Sequence, residues 1–239
     1  MAAAGLQTVL TVPARFQGPD TMANGGWIGG MLANALAGAG RESPVEVTLR
    51  RPVPLDTELI LEHLADTVTL SHDDEPLADA VPVAEPLTPP PFVPFGEAAR
   101  AEAGFGGLIA HPFPGCFVCG VRDPGDGLRV FAGPVRPGVV AAGWRVPVTI
   151  AGADGVVPDA AVWAALDCPT GWAHFGPGEQ ALLGRLTAQV YGQVLPGGSY
   201  SVVARASGRH GRKLLGESAV YETDGTLVAA ARAVWIRPR

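Results

Sequence analysis

The feature that most constrains this chain is a pair of small-residue, almost wholly apolar helical segments, each set among strand-like runs. The first follows Asn24-Gly25-Gly26 and carries its bulk on Trp27, Ile28, Met31, Leu32, Ala35 and Leu36. That spacing lines one face of a helix. Gly29, Gly30 and Ala33 keep the other side small, so that a sheet could pack closely against it, and Gly38 and Gly40 are positioned to end it. The second, over 159–168, reads DAAVWAALDC and is apolar on nearly all sides. A helix without a polar face has to be enclosed. Asp159 is expected to cap its start and Pro169 to end it just beyond Cys168.

Strand-like alternation predicts strands over 6–12, 45–53, 58–64, 67–71 and 77–83 around the first helix. Around the second it predicts 128–132, 139–146, 182–194, 199–207, 214–222 and 226–236, with a hairpin turn at Asp224-Gly225. Strand, helix, then several antiparallel strands therefore occurs twice, a repeat in structure with little repeat in residues. The expected division is a first repeat over 1–83, a proline-rich linker over 84–114 and a second repeat over 115–239. Thr88-Pro89-Pro90-Pro91 stiffens the linker, and a short helix is expected over 95–104.

Only 17% of residues are charged and the net charge is −6, which argues against a nucleic-acid binder but leaves room for a small anion held by a few arginines. Three cysteines, Cys116, Cys119 and Cys168, are too few and odd in number for a disulfide framework. The first eleven residues lack a signal-peptide pattern, and no apolar run approaches the ~18 residues of a membrane span. The expectation is a cytoplasmic globular protein.

Asp167 is the foremost candidate for chemistry. A carboxylate at the end of an otherwise apolar helix, where Asp167 is expected, is costly unless it is paired or used, and burial would make it a base or nucleophile. Asn24-Gly25-Gly26 opens the first helix, where exposed amides and the helix dipole can hold an oxyanion. Trp163 and Trp172 flank Asp167 and are candidates to line an apolar pocket; Arg50 and Arg51 are candidates for ligand phosphates. Cys116-x-x-Cys119 with His111 upstream falls short of the four ligands of structural zinc, so neither metal nor cofactor is expected. Cys168 has no histidine nearby in sequence, and no G-x-S-x-G elbow is present.

Residues 155–167 resemble the helix start of hotdog-fold acyl-CoA thioesterases of the phenylacetate-pathway type. In those proteins a His-Gly-Gly turn opens the helix and an Asp follows nine residues after the His. Here Pro158 stands in the His place with Asp167 nine residues on, while Asn24-Gly25-Gly26 resembles the turn itself with Ala33 nine residues on. Cys116-Phe117-Val118-Cys119-Gly120 followed by Gly127-Leu128 is similar to the lead-in of such proteins. The resemblance implies an α+β double hotdog, its two sheets joined edge to edge, acting as a thioesterase on acyl-CoA or another acyl thioester. It further implies one site between the repeats, with Asp167 activating water or attacking, Gly25 or Gly26 holding the oxyanion and Asn24 orienting water or the thioester. Two other functions stay open: a non-catalytic acyl or hydrophobic-ligand binder, and an enoyl-CoA hydratase or dehydratase, for which the Asp-x4-His pattern is missing. A homodimer of double hotdogs is the assembly considered, with neither nucleic acid nor membrane as a partner.

Overall fold

A computed structural model describes residues 6–36 and 39–238. The first half supplies β1 (Leu6–Thr11), α1 (Gly25–Ala35), the short α2 (Ala39–Glu42), β2 (Val45–Leu49), β3 (Glu58–Leu64), β4 (Thr67–His72) and β5 (Glu75–Pro82). A connector carrying α3 (Phe95–Ala101) leads to β6 (Gly133–Arg136), β7 (Val139–Arg145), α4 (Asp159–Trp172), β8 (Leu182–Val190), β9 (Ser199–His210), β10 (Lys213–Glu222) and β11 (Leu227–Ile236).

The eleven strands of the described residues form one antiparallel sheet, ordered β1-β3-β4-β5-β2-β8-β11-β10-β9-β7-β6. The sheets of the two halves join at one seam, β2 against β8, where Val45 faces Ala188 and Val47 faces Leu186. Across it Glu46 takes Arg185 at 3.1 Å and Thr187 at 3.3 Å. Helices α1 and α4 pack against one another under this sheet, α1 with β2, β4 and β5 and α4 with β8 to β11. This is the edge-to-edge pair of helix-and-sheet units expected of a double hotdog. The connector lies on the opposite face of the second half, where Phe92, Val93 and Ala98 cover Val203, Ala219 and Tyr221. The Tyr221 hydroxyl donates to the Pro90 carbonyl there.

Several local expectations change. The small face of α1 meets α4 rather than a sheet: a Cβ on Gly30 would stand 2.4 Å from Ala160 Cα, and one on Gly29 2.8 Å from the Trp163 ring. Two small faces let helix backbones touch, which brings residues of the two halves together. Helix α1 ends at Ala35; Gly40 lies inside α2, and Gly38 lies outside the described residues. Asp159 is the first helical residue and Pro158 takes the cap position, where its fixed φ suits the extended backbone that precedes a helix but its side chain offers no cap. Pro169 does not end α4, which runs on to Trp172. Side-chain hydroxyls serve carbonyls in the turn before it: Ser218 donates to Leu166 at 2.7 Å and Thr170 to Asp167 at 2.6 Å. Residues 128–132, buried except for the half-buried Arg129, form no strand; the Leu128 and Val130 amides bond the Phe117 and Val118 carbonyls instead.

Candidate active site

The start of α1 is fixed from both sides. The Asn24 amide donates to Phe16, and Phe16 stacks on Trp27 with ring centroids 3.6 Å apart. Asn24 Oδ1 caps the helix by accepting from the Trp27 amide at 2.9 Å. That bond settles the orientation of the side-chain amide and turns Nδ2 toward α4. There Asn24 Nδ2 donates to Asp167 Oδ2 at 3.1 Å, and the Gly26 amide donates to the same oxygen at 3.0 Å. The approach requires a glycine, since a Cβ on Gly26 would stand 2.6 Å from Asp167 Cβ and 2.8 Å from Ala164 Cα. Asn24, Gly26 and Asp167, 143 and 141 residues apart in sequence, thus form one buried cluster.

Asp167 is 1% exposed, and its Oδ1 has no hydrogen-bond partner among the described residues. Burial, and then negative charge at Cys116, push its carboxyl up to about 7, against the pull of the Gly26 amide and Asn24. The helix continues past it, so Asp167 sits in the interior of α4 rather than at its end.

Next to this cluster lies a mainly apolar cavity of about 240 Å³. Asn24 and Gly25 line it, with Ile28, Leu49, Phe113 and Phe175 among its apolar wall. Asp167 itself does not border the cavity; Asn24, bonded to it, and Cys168, beside it in sequence, do. Of the aromatic candidates, Trp172 lines the cavity, whereas Trp163 is enclosed between α1 and α4 against Gly29 and Gly30. Arg50 and Arg51 also line it, their half-exposed side chains paired with Asp79 and Glu75.

The same wall holds what the sequence separates most widely. Cys168 comes from α4 to stand beside Cys116 and Cys119, all three buried with sulfurs within 4.8 Å of one another. The reading of an isolated Cys-x-x-Cys therefore changes, because a third thiol completes a trio that no local spacing reveals. The Cys119 and Cys168 thiols hold the Cys116 thiol well below its ordinary range. Hydrogen bonding to Cys116 in turn pushes Cys119 and Cys168 up. His111 accepts from the Phe113 amide through Nδ1 at 3.0 Å, so its Nε2 carries the proton to the Cys119 carbonyl at 3.0 Å. Desolvation lowers the His111 pKa, consistent with that neutral tautomer.

No protein-family model matches the chain. No curated protein matches it either. Solved structures do, over its whole length. One is a protein assigned by inference as a thioesterase from Novosphingobium aromaticivorans, 16% identical, covering 100% of both chains at a TM-score of 0.63. Another is a conserved hot dog fold protein of unknown function from Alicyclobacillus acidocaldarius, 14% identical, covering 98% of this chain and 93% of its own at 0.59. A third is the dehydratase domain of PpsC from Mycobacterium tuberculosis in complex with C12:1-CoA, 16% identical, covering 99% and 98% at 0.59. The fold is the α+β double hotdog, similar throughout to hotdog-fold and thioesterase structures. Among the described residues no helix is long and apolar enough to cross a membrane.

Proposed function

We propose that the chain hydrolyses an acyl thioester, acyl-CoA being the substrate class, at one site where α1 of the first half meets Asp167 of the second. The observation that carries this reading is the meeting of a helix N-terminus and a buried carboxylate beside an apolar cavity. The acyl chain would occupy the cavity, and Arg50 and Arg51 would stand near the phosphates of coenzyme A. The Gly25 amide, at the first helical position, would donate to the carbonyl oxygen as charge develops on it. Asp167, with Oδ2 anchored by Asn24 and Gly26, would take a proton from water through Oδ1. The hydroxide adds to the carbonyl carbon. The tetrahedral intermediate expels the thiolate, which recovers the proton from Asp167. Water has to reach Oδ1 from the cavity past Asn24 or Cys168.

A second reading, an acyl binder without turnover, draws on a different observation: the Gly26 amide and Asn24 Nδ2 are both committed to Asp167 rather than turned to the cavity. The dehydratase reading is the weakest of the three, since His174, the next histidine after Asp167, bonds the Leu215 carbonyl at 2.8 Å. A thiol-release screen over acyl-CoA esters of graded chain length decides between the first two. Catalytic release of coenzyme A is expected. Saturable binding of the esters with no release would replace hydrolysis by the binder reading.

A further inference from the structure

Three sulfurs converge on the cavity, and the hydrolytic reading uses none of them. Tetrahedral zinc–thiolate bonds of about 2.3 Å place neighbouring sulfurs about 3.8 Å apart. Cys116 Sγ and Cys168 Sγ stand 3.8 Å apart, and Cys119 Sγ lies within 4.8 Å of both. The trio therefore needs little movement to close on one ion. The loop that carries two of the three is built tightly. The Gly120 amide donates to the Cys116 carbonyl at 2.9 Å, and a Cβ at Gly120 would stand 2.4 Å from the carbonyl oxygens of Cys116 and Pro114. The Val118 and Cys119 amides lie close enough to the Cys116 sulfur to favour its thiolate. Asn24 Nδ2 approaches Cys168 Sγ at 3.9 Å. Thiolates in a low-dielectric wall need such donors, which offset part of the cost of their charge.

We propose that Cys116, Cys119 and Cys168 bind one thiophilic divalent cation of the zinc class, with its fourth coordination position open to the cavity. His111 does not fill that position, because both ring nitrogens are engaged, one by the Phe113 amide and one by the Cys119 carbonyl. All three cysteines line the cavity, so the fourth ligand is water or a donor atom of whatever molecule the cavity takes in. Binding releases the thiol protons to solvent and leaves a site of net charge −1, three thiolates against one dication. The ion ties the loop before β6 to α4 and so closes one wall of the cavity. This differs from the expectation drawn from the sequence, where only two ligands were in view.

The test uses the full chain, untagged and kept reduced, stripped with a chelator and titrated with Co2+ alone. One equivalent is expected to bind, with thiolate-to-cobalt charge-transfer absorption and the visible bands of a tetrahedral ion, and Zn2+ should displace it. Adding free coenzyme A should shift those bands as its thiol enters the open position. Cys119→Ser and Cys168→Ala should weaken uptake at least about 10- to 100-fold, the range already seen for losing an outer-shell partner. Circular dichroism shows whether each variant is folded. Where one is not, wild-type protein alkylated on its cysteines and shown to remain folded serves in its place, and it should lose the cobalt spectrum. The proposal is overturned if the reduced wild type takes up no stoichiometric cobalt, or if Cys168→Ala binds as tightly as the wild type. A purified chain two mass units light, with one disulfide and no metal uptake after reduction, also overturns it. Thiol release is a separate measurement, so this result and the hydrolytic reading can fail independently.

Discussion

The two central helices begin in opposite ways. Helix α1 opens on Asn24, whose side chain caps it, followed by two glycines whose backbone lies bare. Helix α4 opens on Pro158, which makes no side-chain cap, followed by Asp159 and Ala160. Each start packs against the other helix, but the partners differ. The start of α1 meets Asp167; the start of α4 meets the Gly30 region of α1, where the backbones touch and no acid stands. Ala33 holds the place, nine residues after Asn24, that Asp167 holds nine residues after Pro158. A duplicated fold offers two equivalent corners. Here the donors collect at one helix and the acid at the other, so only one corner pairs them. Substitutions at the two corners should therefore differ in kind as well as in size.

The largest contrast lies at the acid. Asp167→Asn preserves the acceptor that Gly26 and Asn24 bond, so the fold should hold while the base is lost. Thiol release is expected to fall at least 10²- to 10⁴-fold, the usual range for losing a general base. Steady-state rates with the best ester of the panel measure it, and activity within about threefold of the parent would take Asp167 out of the mechanism.

The sequence made this corner legible because each part of it is local. A cap before two glycines and an acid nine residues into an apolar helix can both be read from spacing. Their facing each other followed from the family resemblance, since nothing local relates residues 24 and 167. What stayed hidden depended on tertiary packing. Cys168 reaches the Cys116–Cys119 turn only because α4 lies beside that loop, 52 residues away in sequence. The small face of α1 was legible as a close contact, but whether a sheet or a helix fills it is decided by the partner. Pro169 has the chemistry of a helix end, yet the following turn persists inside a buried helix whose nearby carbonyls find hydroxyl donors. Trp163 and Trp172 look equivalent in sequence, flanking Asp167 on either side, and only their neighbours in the fold separate a core residue from a cavity wall.

At the contact between the helices, Gly30→Ala should be the costliest small change to stability. Its Cβ would press on Ala160 Cα at 2.4 Å and Trp163 Cβ at 3.0 Å, and backbone cannot yield as a flexible side chain does. Overpacking of this kind costs about 3 kcal/mol, which is about 6–12 °C of Tm for a chain of this length. Gly40→Ala in α2 meets nothing nearer than 3.6 Å and should leave Tm unchanged or raised. Equal Tm values for the two variants would show that the helices are not in backbone contact.

Removing the cap tests the start of α1. Asn24→Ala deletes the acceptor for the Trp27 amide, worth about 1 kcal/mol. It also deletes one of two donors to a buried carboxylate, worth about 1.5 kcal/mol or more. A loss of about 2–3 kcal/mol in chemical denaturation is expected, together with slower thiol release, because Asp167 loses half of its anchoring. Asn24→Asp keeps the cap but places a second carboxylate against Asp167, and should destabilise more than Asn24→Ala does. If the aspartate variant were the more stable of the two, capping alone would account for Asn24.

The smallest effect belongs to the matching position of the other corner. Asp159 lies in the first turn of α4 and pairs with Arg41 at 2.8 Å, but half of the Arg41 side chain is exposed. An ion pair of that kind contributes about 1 kcal/mol or less, and the favourable placement of an acid near a helix N-terminus adds a few tenths of a kcal/mol. Asp159→Ala should therefore lower stability by about 1 kcal/mol or less and leave thiol release within about twofold, since no substrate is handled there. Both contributions are electrostatic and near solvent, so the difference from wild type should shrink as salt is raised from about 0.1 M to 1 M, where the screening length falls from about 10 Å to 3 Å. The Asn24→Ala loss arises from buried hydrogen bonds and should persist across the same range. A drop in thiol release for Asp159→Ala as large as that for Asn24→Ala would mean that both corners serve the reaction, and the one-site reading would fail with it.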